Sequence, residues 1–213
     1  MKRPSLIISI LLTCAILAGK PTQTASLPQP VQNIAQKPDL SKIVITQQDL
    51  PSDFQTANPA ELEQLRRNIS LQELPIQSVF QFSTNPENMV QLGVVMGGTY
   101  WISNSLAQTD FMSNPDRLMR QLTGVVGDLN QDFPGLDLGR HPTQQLTNLE
   151  SIGDFASGAT RVINTIGFPI RMDLVAFRRG RVVAFVGVGY IEGTRPAVSV
   201  VELARKLDSR IPK

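Results

Sequence analysis

Residues 168–190 read FPIRMDLVAFRRGRVVAFVGVGY, from Phe168 to Tyr190: two apolar runs joined by a tight basic turn. Arg178, Arg179 and Gly180 stand between Phe177 and Arg181. A three-residue hairpin loop is commonly a type I turn closed by a left-handed residue. Glycine takes that conformation at least cost because it has no Cβ. This predicts Gly180 as a bulge residue and pairs Phe177 with Arg181. Val175 then faces Val183, Asp173 faces Phe185, and Arg171 faces Gly187. Ala176, Leu174 and Met172 oppose Val182, Ala184 and Val186. Side chains alternate along a strand, so Met172, Leu174 and Ala176 share a wholly apolar face. The other face carries Arg171 and Asp173, but also Val175 and Phe177. Apolar character on both faces places the hairpin in the middle of a sheet with cover on each side. A one-residue slip would turn the apolar set outward, so the pattern is expected to hold the register.

The chain around this hairpin has 213 residues, 41% of them hydrophobic and 18% charged, a globular composition. One cysteine, Cys14, and one histidine, His141, exclude an intrachain disulfide and metal sites built from several such ligands. The formal charge is +2, but Lys2, Arg3 and Lys20 lie in an N-terminal stretch without acids. The rest carries 17 basic and 18 acidic side chains, which does not indicate a nucleic-acid binder. Residues 26–160 are net acidic and residues 161–213 net basic. Interleaving of the two halves in one fold would largely cancel that field.

Lys2 and Arg3 followed by the apolar run Leu6–Gly19 read as an export signal over residues 1–19. As a helix the run would span about 21 Å, short of a ~30 Å hydrocarbon core. Cys14 after Leu11-Leu12-Thr13 is a candidate lipidation site, although Thr13 is larger than the residue such sites favour. Its plainer reading is a small apolar residue of the signal. Residues 20–41 hold Pro21, Pro28, Pro30 and Pro38 among polar residues and read as a disordered linker. Residues 42–213 then form a single domain.

Within that domain Ile43-Val44-Ile45 is a short β-like run. Asn58-Pro59 with Glu61 starts a helix, with Asn58 as N-cap and Leu62, Leu65 and Ile69 as its apolar stripe. Gln77–Ser83 alternates as a strand. Met89–Ile102 is a longer one, and the pair Gly97-Gly98 suggests a bulge or bend within it. Trp101, the only tryptophan, reads as a core or edge aromatic. Asn114-Pro115 starts a second helix carrying Leu118, Leu122, Val125 and Leu129. Leu136–Leu149 is weakly strand-like, and Gly158–Ile166 is a better strand. Ser199 with Glu202 caps a last helix, whose stripe is Val200, Leu203, Ala204, Leu207 and Ile211. Arg205, Lys206, Asp208 and Arg210 are expected to face water.

The sequence lacks G-x-S-x-G, phosphate-loop and dinucleotide glycine motifs. Three features could carry function. Arg178, Arg179 and Arg181 at the hairpin tip could bind phosphate, acidic headgroups or a partner's carboxylates; the plainer reading is a solvated tip. Asp173 lies inside a central strand and needs a partner, which Arg161 or Arg171 could supply. His141 beside Arg140 reads as a loop or edge histidine.

The Ile152-Gly153-Asp154 turn, the FRRGRVVAFV hairpin and the closing ELARKLDSRI helix resemble a class of exported bacterial proteins. In layout these are similar to the PsbP-like superfamily of the extrinsic oxygen-evolving subunit of photosystem II. The resemblance covers roughly residues 42–211, transfers no site residue, and implies a binding or assembly factor on the outer side of a membrane.

The expected fold is α+β, a mainly antiparallel sheet covered by helices on both faces in an α/β/α sandwich. The expected function is a non-enzymatic exported binding or assembly module without cofactor, metal or nucleic acid. It would be a monomer in the periplasm, the thylakoid lumen or at the cell surface, anchored through its N-terminus if the leader is kept. One alternative is a small-molecule hydrolase using dispersed acids such as Asp110, Asp128 and Asp154. Another is a membrane-surface docking protein that uses the arginine tip.

Overall fold

A computed structural model describes residues 39–69, 76–84, 92–102, 143–164 and 168–212. They build one antiparallel sheet of seven strands: β1 (Phe54–Thr56), β2 (Ile76–Thr84), β3 (Gly93–Trp101), β4 (Gln144–Gln145), β5 (Phe155–Asn164), β6 (Pro169–Arg179) and β7 (Val182–Ile191). The spatial order is β1-β2-β3-β7-β6-β5-β4, so the β6–β7 hairpin is central as its two-sided apolar pattern requires. Helix α1 (Pro59–Ile69) contacts β2, and helix α2 (Val200–Ser209) contacts β6 and β7.

The helix-covered α/β/α sandwich is not what forms. The fold is β-rich, with two helices of 11 and 10 residues among the described residues. The reason is dimensional. Seven strands at ~4.8 Å spacing make a sheet about 29 Å wide, and a helix is only ~10 Å across. One short helix on a face is therefore a partial cover, not a layer. The helix expected after Pro115 lies outside the described residues, as do His141, Arg140, the signal with Cys14, and residues 20–38 of the linker; its last residues, 39–41, are instead folded, with Leu40 buried in the core.

Each face of the sheet has its own core. One gathers Phe80, Val95, Val175, Phe177, Ala184, Val186 and Val188 under α2. The other gathers Met96, Tyr100, Ala159, Leu174, Ala176 and Phe185 with Leu65 and Ile69 of α1. Both helices begin where their caps predict. The Asn58 side chain accepts from the Glu61 N–H and the Glu61 carboxylate accepts from the Asn58 N–H, each at 3.0 Å. The Ser199 hydroxyl accepts from the Glu202 N–H at 3.4 Å.

The hairpin register departs from expectation. Arg179 pairs with Val182, Phe177 with Ala184, Val175 with Val186 and Asp173 with Val188. The loop is the two residues Gly180-Arg181, and Arg178 and Arg179 belong to β6. Gly180 has φ +57° and Arg181 has no positive φ, as in the type II′ turn whose twist matches paired strands. The Gly180 N–H donates to Asp154 Oδ2 at 2.6 Å, which anchors the turn from outside.

Two further local readings change. Ile43-Val44-Ile45 is not a strand. It links 3-10 turns at Leu40–Lys42 and Gln47–Asp49, and buries Ile43 and Ile45 in the α2-side core. Gly97-Gly98 neither bulges nor breaks β3, which pairs continuously with β7. The irregularity lies in β2, between Ile76 and Ser78.

Candidate functional site

The hairpin turn, the C-terminal end of α2, the Ser151–Phe155 turn and the segment 40–50 meet at one end of the sheet. Ion pairs join them. Arg179 grips Asp208 of α2 through Nε–Oδ1 at 2.6 Å and Nη2–Oδ2 at 2.5 Å. The Gly153 N–H donates to the same Asp208 Oδ2 at 3.0 Å. Arg210 donates from Nη2 to both Asp49 carboxylate oxygens at 2.8 Å and from Nη1 to the Val44 carbonyl. Thus Asp208, expected in water, is buried, and it ties the last helix to the hairpin.

The three tip arginines have different fates. Arg179 is committed to Asp208 on the α2 side, where it takes part in holding the fold. Arg178 points to the opposite face between its cross-strand partners Phe155 and Val183. Its Nε is buried and has no hydrogen-bond partner among the described residues. Arg181 is exposed in the turn. Phe155, beside Arg178, is 42% exposed, the large hydrophobic side chain most open to solvent among the described residues.

Arg205 adds to this end. It donates to Ser151 Oγ at 3.2 Å and to the Asn148 carbonyl at 3.0 Å, neutral partners that leave its charge uncompensated. Lys206 likewise donates to a carbonyl, that of Asp49. An open depression of about 630 Å³ is lined by Ser151, Arg179, Arg205, Ser209 and Arg210. No sequence signal pointed to Phe155, Arg205 or Arg210 as neighbours of the tip. They come from β5 and from α2 with its C-cap, elements distant in sequence that the fold brings to the same end.

At the other end of the sheet Asp173 finds its partner. Its hydrogen bond comes from the Tyr190 hydroxyl, which donates to Asp173 Oδ2 at 2.9 Å, and Arg171 adds a nearby positive charge. Arg171 itself clamps Glu192 at 2.5 and 2.6 Å. A cavity of about 240 Å³ nearby is lined by Asp53, Phe54, Gly93, Tyr190 and Arg195 among others. Of the dispersed acids, Asp154 accepts the Gly180 N–H, and Asp110 and Asp128 lie outside the described residues. Trp101 ends β3 half-buried against the α2-side core. Among the described residues no three His, Cys, Asp or Glu side chains form a metal-binding group, and no helix is long and apolar enough to cross a membrane.

Both tyrosines of the chain should resist ionisation. Burial pushes Tyr100 up, and its hydroxyl donates to the Ile69 carbonyl at 2.8 Å. Burial also pushes Tyr190 up, helped by the negative charge and hydrogen bond of Asp173. A phenol raised above its ordinary value of 10.0 stabilises the fold fully below that pH and loses the contribution as pH rises past it. We expect phenolate absorbance to appear only together with unfolding. Reversible ionisation near pH 10 in the folded chain would contradict the burial of both hydroxyls.

Compared with protein-family models, characterised proteins and solved structures, the chain matches none.

Proposed function

We propose that this protein is an exported binding or assembly module that works at the outer side of a membrane, with the hairpin end as its contact surface. The observation that carries the reading is the division of labour among the cations at that end. Arg179 and Arg210 are locked to Asp208 and Asp49 and hold the end rigid. Arg178, Arg181, Arg205 and Lys206 surround them without a carboxylate partner among the described residues. The positive leader Lys2-Arg3, the apolar run Leu6–Gly19 and the Pro-rich linker support the exported setting.

A photo-crosslinking residue at Ser209, exposed at this end, tests the reading in native envelopes. It should give adducts with an envelope component. The same residue at Arg195, exposed at the opposite end, should not. Equal yields at the two positions, or none at Ser209, would remove the assignment of the contact surface.

A further inference from the structure

We infer that the hairpin end docks on an anionic lipid surface, an inference that rests on the exported-module reading and names its partner. Three independent placements converge. The first is chemical. Phe155 and Arg178 are directly opposed residues of β5 and β6, so an exposed aromatic residue and a half-buried arginine share one face at this end. Arg181 lies one step further out, in the turn. Aromatic and arginine side chains presented together suit the boundary between headgroup and acyl chain, where the ring meets apolar material and the guanidinium meets phosphate. A free anionic metabolite would have no use for the exposed ring.

The second is charge. Arg205 and Lys206, on the exposed side of the last turns of α2, are bonded to carbonyl and hydroxyl oxygens only. With Arg178 and Arg181 they make four uncompensated cations at one end. Asp208 and Asp49 are paired with arginines; Asp154, which accepts the neutral Gly180 N–H, and Glu150 are exposed acids, two charges against the four cations. Several guanidinium and ammonium groups near a surface add their attraction for anionic lipids.

The third is the position of the tether. The described part of the chain starts beside the hairpin turn. Ser78, at the start of β2, donates to the Ile43 carbonyl, and Arg210 reaches Val44. The start of β2 pairs with the end of β3, and β3 ends opposite Val182. The Ile102 N–H donates to the Arg181 carbonyl. The predicted linker of residues 20–41 therefore joins the domain at its basic end. A flexible chain of about twenty residues spans about 25 Å, so a leader that held the protein at a membrane through such a linker would keep that end close to the lipid. A tether joining the other end would oppose docking.

Trp101 makes the inference measurable in the full chain. It is the only tryptophan, and it pairs with Val182 next to the turn. Vesicles of phosphatidylcholine alone, and of phosphatidylcholine mixed with phosphatidylglycerol, are prepared with spin-labelled lipids that quench tryptophan at short range. The leader carries Lys2, Arg3 and Lys20 and also favours the anionic composition, so the share of the tip is read from variants that leave the leader unchanged. Quenching of Trp101 is expected on the anionic vesicles, much less on the neutral ones, and should reverse with salt. Each cation removed should weaken docking about fivefold, so the Arg178→Ser/Arg181→Ser variant loses most of it. Arg181→Ser alone, a change confined to an exposed turn, gives a single fivefold step. Phe155→Ser should weaken docking without changing its salt dependence. Equal quenching on both vesicle types, or wild-type quenching in Arg181→Ser, overturns the inference. Protein adducts at Ser209 in envelopes without anionic-specific quenching also overturn it, and leave the binding-module reading standing with an acidic protein as partner.

Discussion

Replacing Gly97 by alanine should destabilise the protein by about 3 kcal/mol and lower its Tm by roughly 10 °C. The added methyl would overlap the edge of the Phe80 ring and the carbonyl oxygen of Phe185. The ring could swing away only by leaving the α2-side core, where Phe80 is 4% exposed. The carbonyl belongs to β7, which is paired on both sides, so it cannot retreat without disturbing the β6–β7 ladder. Gly187 provides the contrast. It lies in β7 opposite Met96, on the other face, and a Cβ there meets its nearest neighbour, Met96 Cγ, at 3.5 Å. That is ordinary contact, and replacing a strand-interior glycine removes an entropic penalty of up to ~1 kcal/mol. Gly187→Ala should therefore be neutral or slightly stabilising. Urea unfolding at constant m-value reads the difference. Equal midpoints for the two variants would mean that Phe80 does not lie over Gly97.

These glycines also mark where the sequence was legible and where it was not. β2 alternates buried and half-buried residues along its full length, so a period of two was visible and its strand was identified correctly. β7 is buried at every position from Val182 to Tyr190. A strand that is apolar on both faces carries no period-two signal, so a slip buries nothing polar and the pattern cannot hold the register. The three-residue offset is odd, and it exchanged the faces of β7 relative to β6. What sets the register is the two-residue turn, anchored by a bond from Gly180 to Asp154, 26 positions earlier. The reading of Gly97-Gly98 failed for a similar reason. Both glycines sit under side chains of β2, Phe80 for Gly97 and Ile76 for Gly98, and a packing demand from a neighbouring strand is invisible in β3 itself.

The candidate surface was legible only as a cluster of arginines. Adjacent residues of a strand point to opposite faces, so Arg178 and Arg179 could not act together. That much follows once the turn is known to be Gly180-Arg181. The distinction between a structural arginine and the more available ones required Asp208, and Asp208 was misread because it lies among charged neighbours. Arg205, Lys206, Asp208 and Arg210 look like one solvated face, but 208 follows the buried positions 200, 204 and 207 closely enough to share their side of the helix.

The Arg179–Asp208 pair is where loss of one polar partner should also cost stability. A carboxylate in the last turn of a helix faces the negative end of the macrodipole, so its placement is unfavourable unless a cation compensates. Arg179 is that cation. The Asp208 side chain is 7% exposed and Arg179 23%, so the pair is removed from water unequally. Asp208→Ala strands a guanidinium that water can still reach, together with the Gly153 N–H, and should cost about 2 kcal/mol. Arg179→Ala takes the cation from the more deeply buried partner, at the wrong end of a helix and with the Gly153 N–H still donating to it, and should cost about 3 kcal/mol. The asymmetry follows from the exposure, and it predicts that the Arg179→Ala loss shrinks in acid, where the orphaned carboxyl can take a proton. In the double variant neither charge is orphaned. Its loss should fall well short of the sum of the single losses, by 1 kcal/mol or more on the scale of ~0.5–3 kcal/mol found for contacting residues. Strictly additive losses would mean that the two side chains do not meet in solution. The last helix would then be held to the hairpin by Leu203, Ala204 and Leu207 alone, and the rigid frame that presents Arg178, Arg181 and Phe155 would be lost.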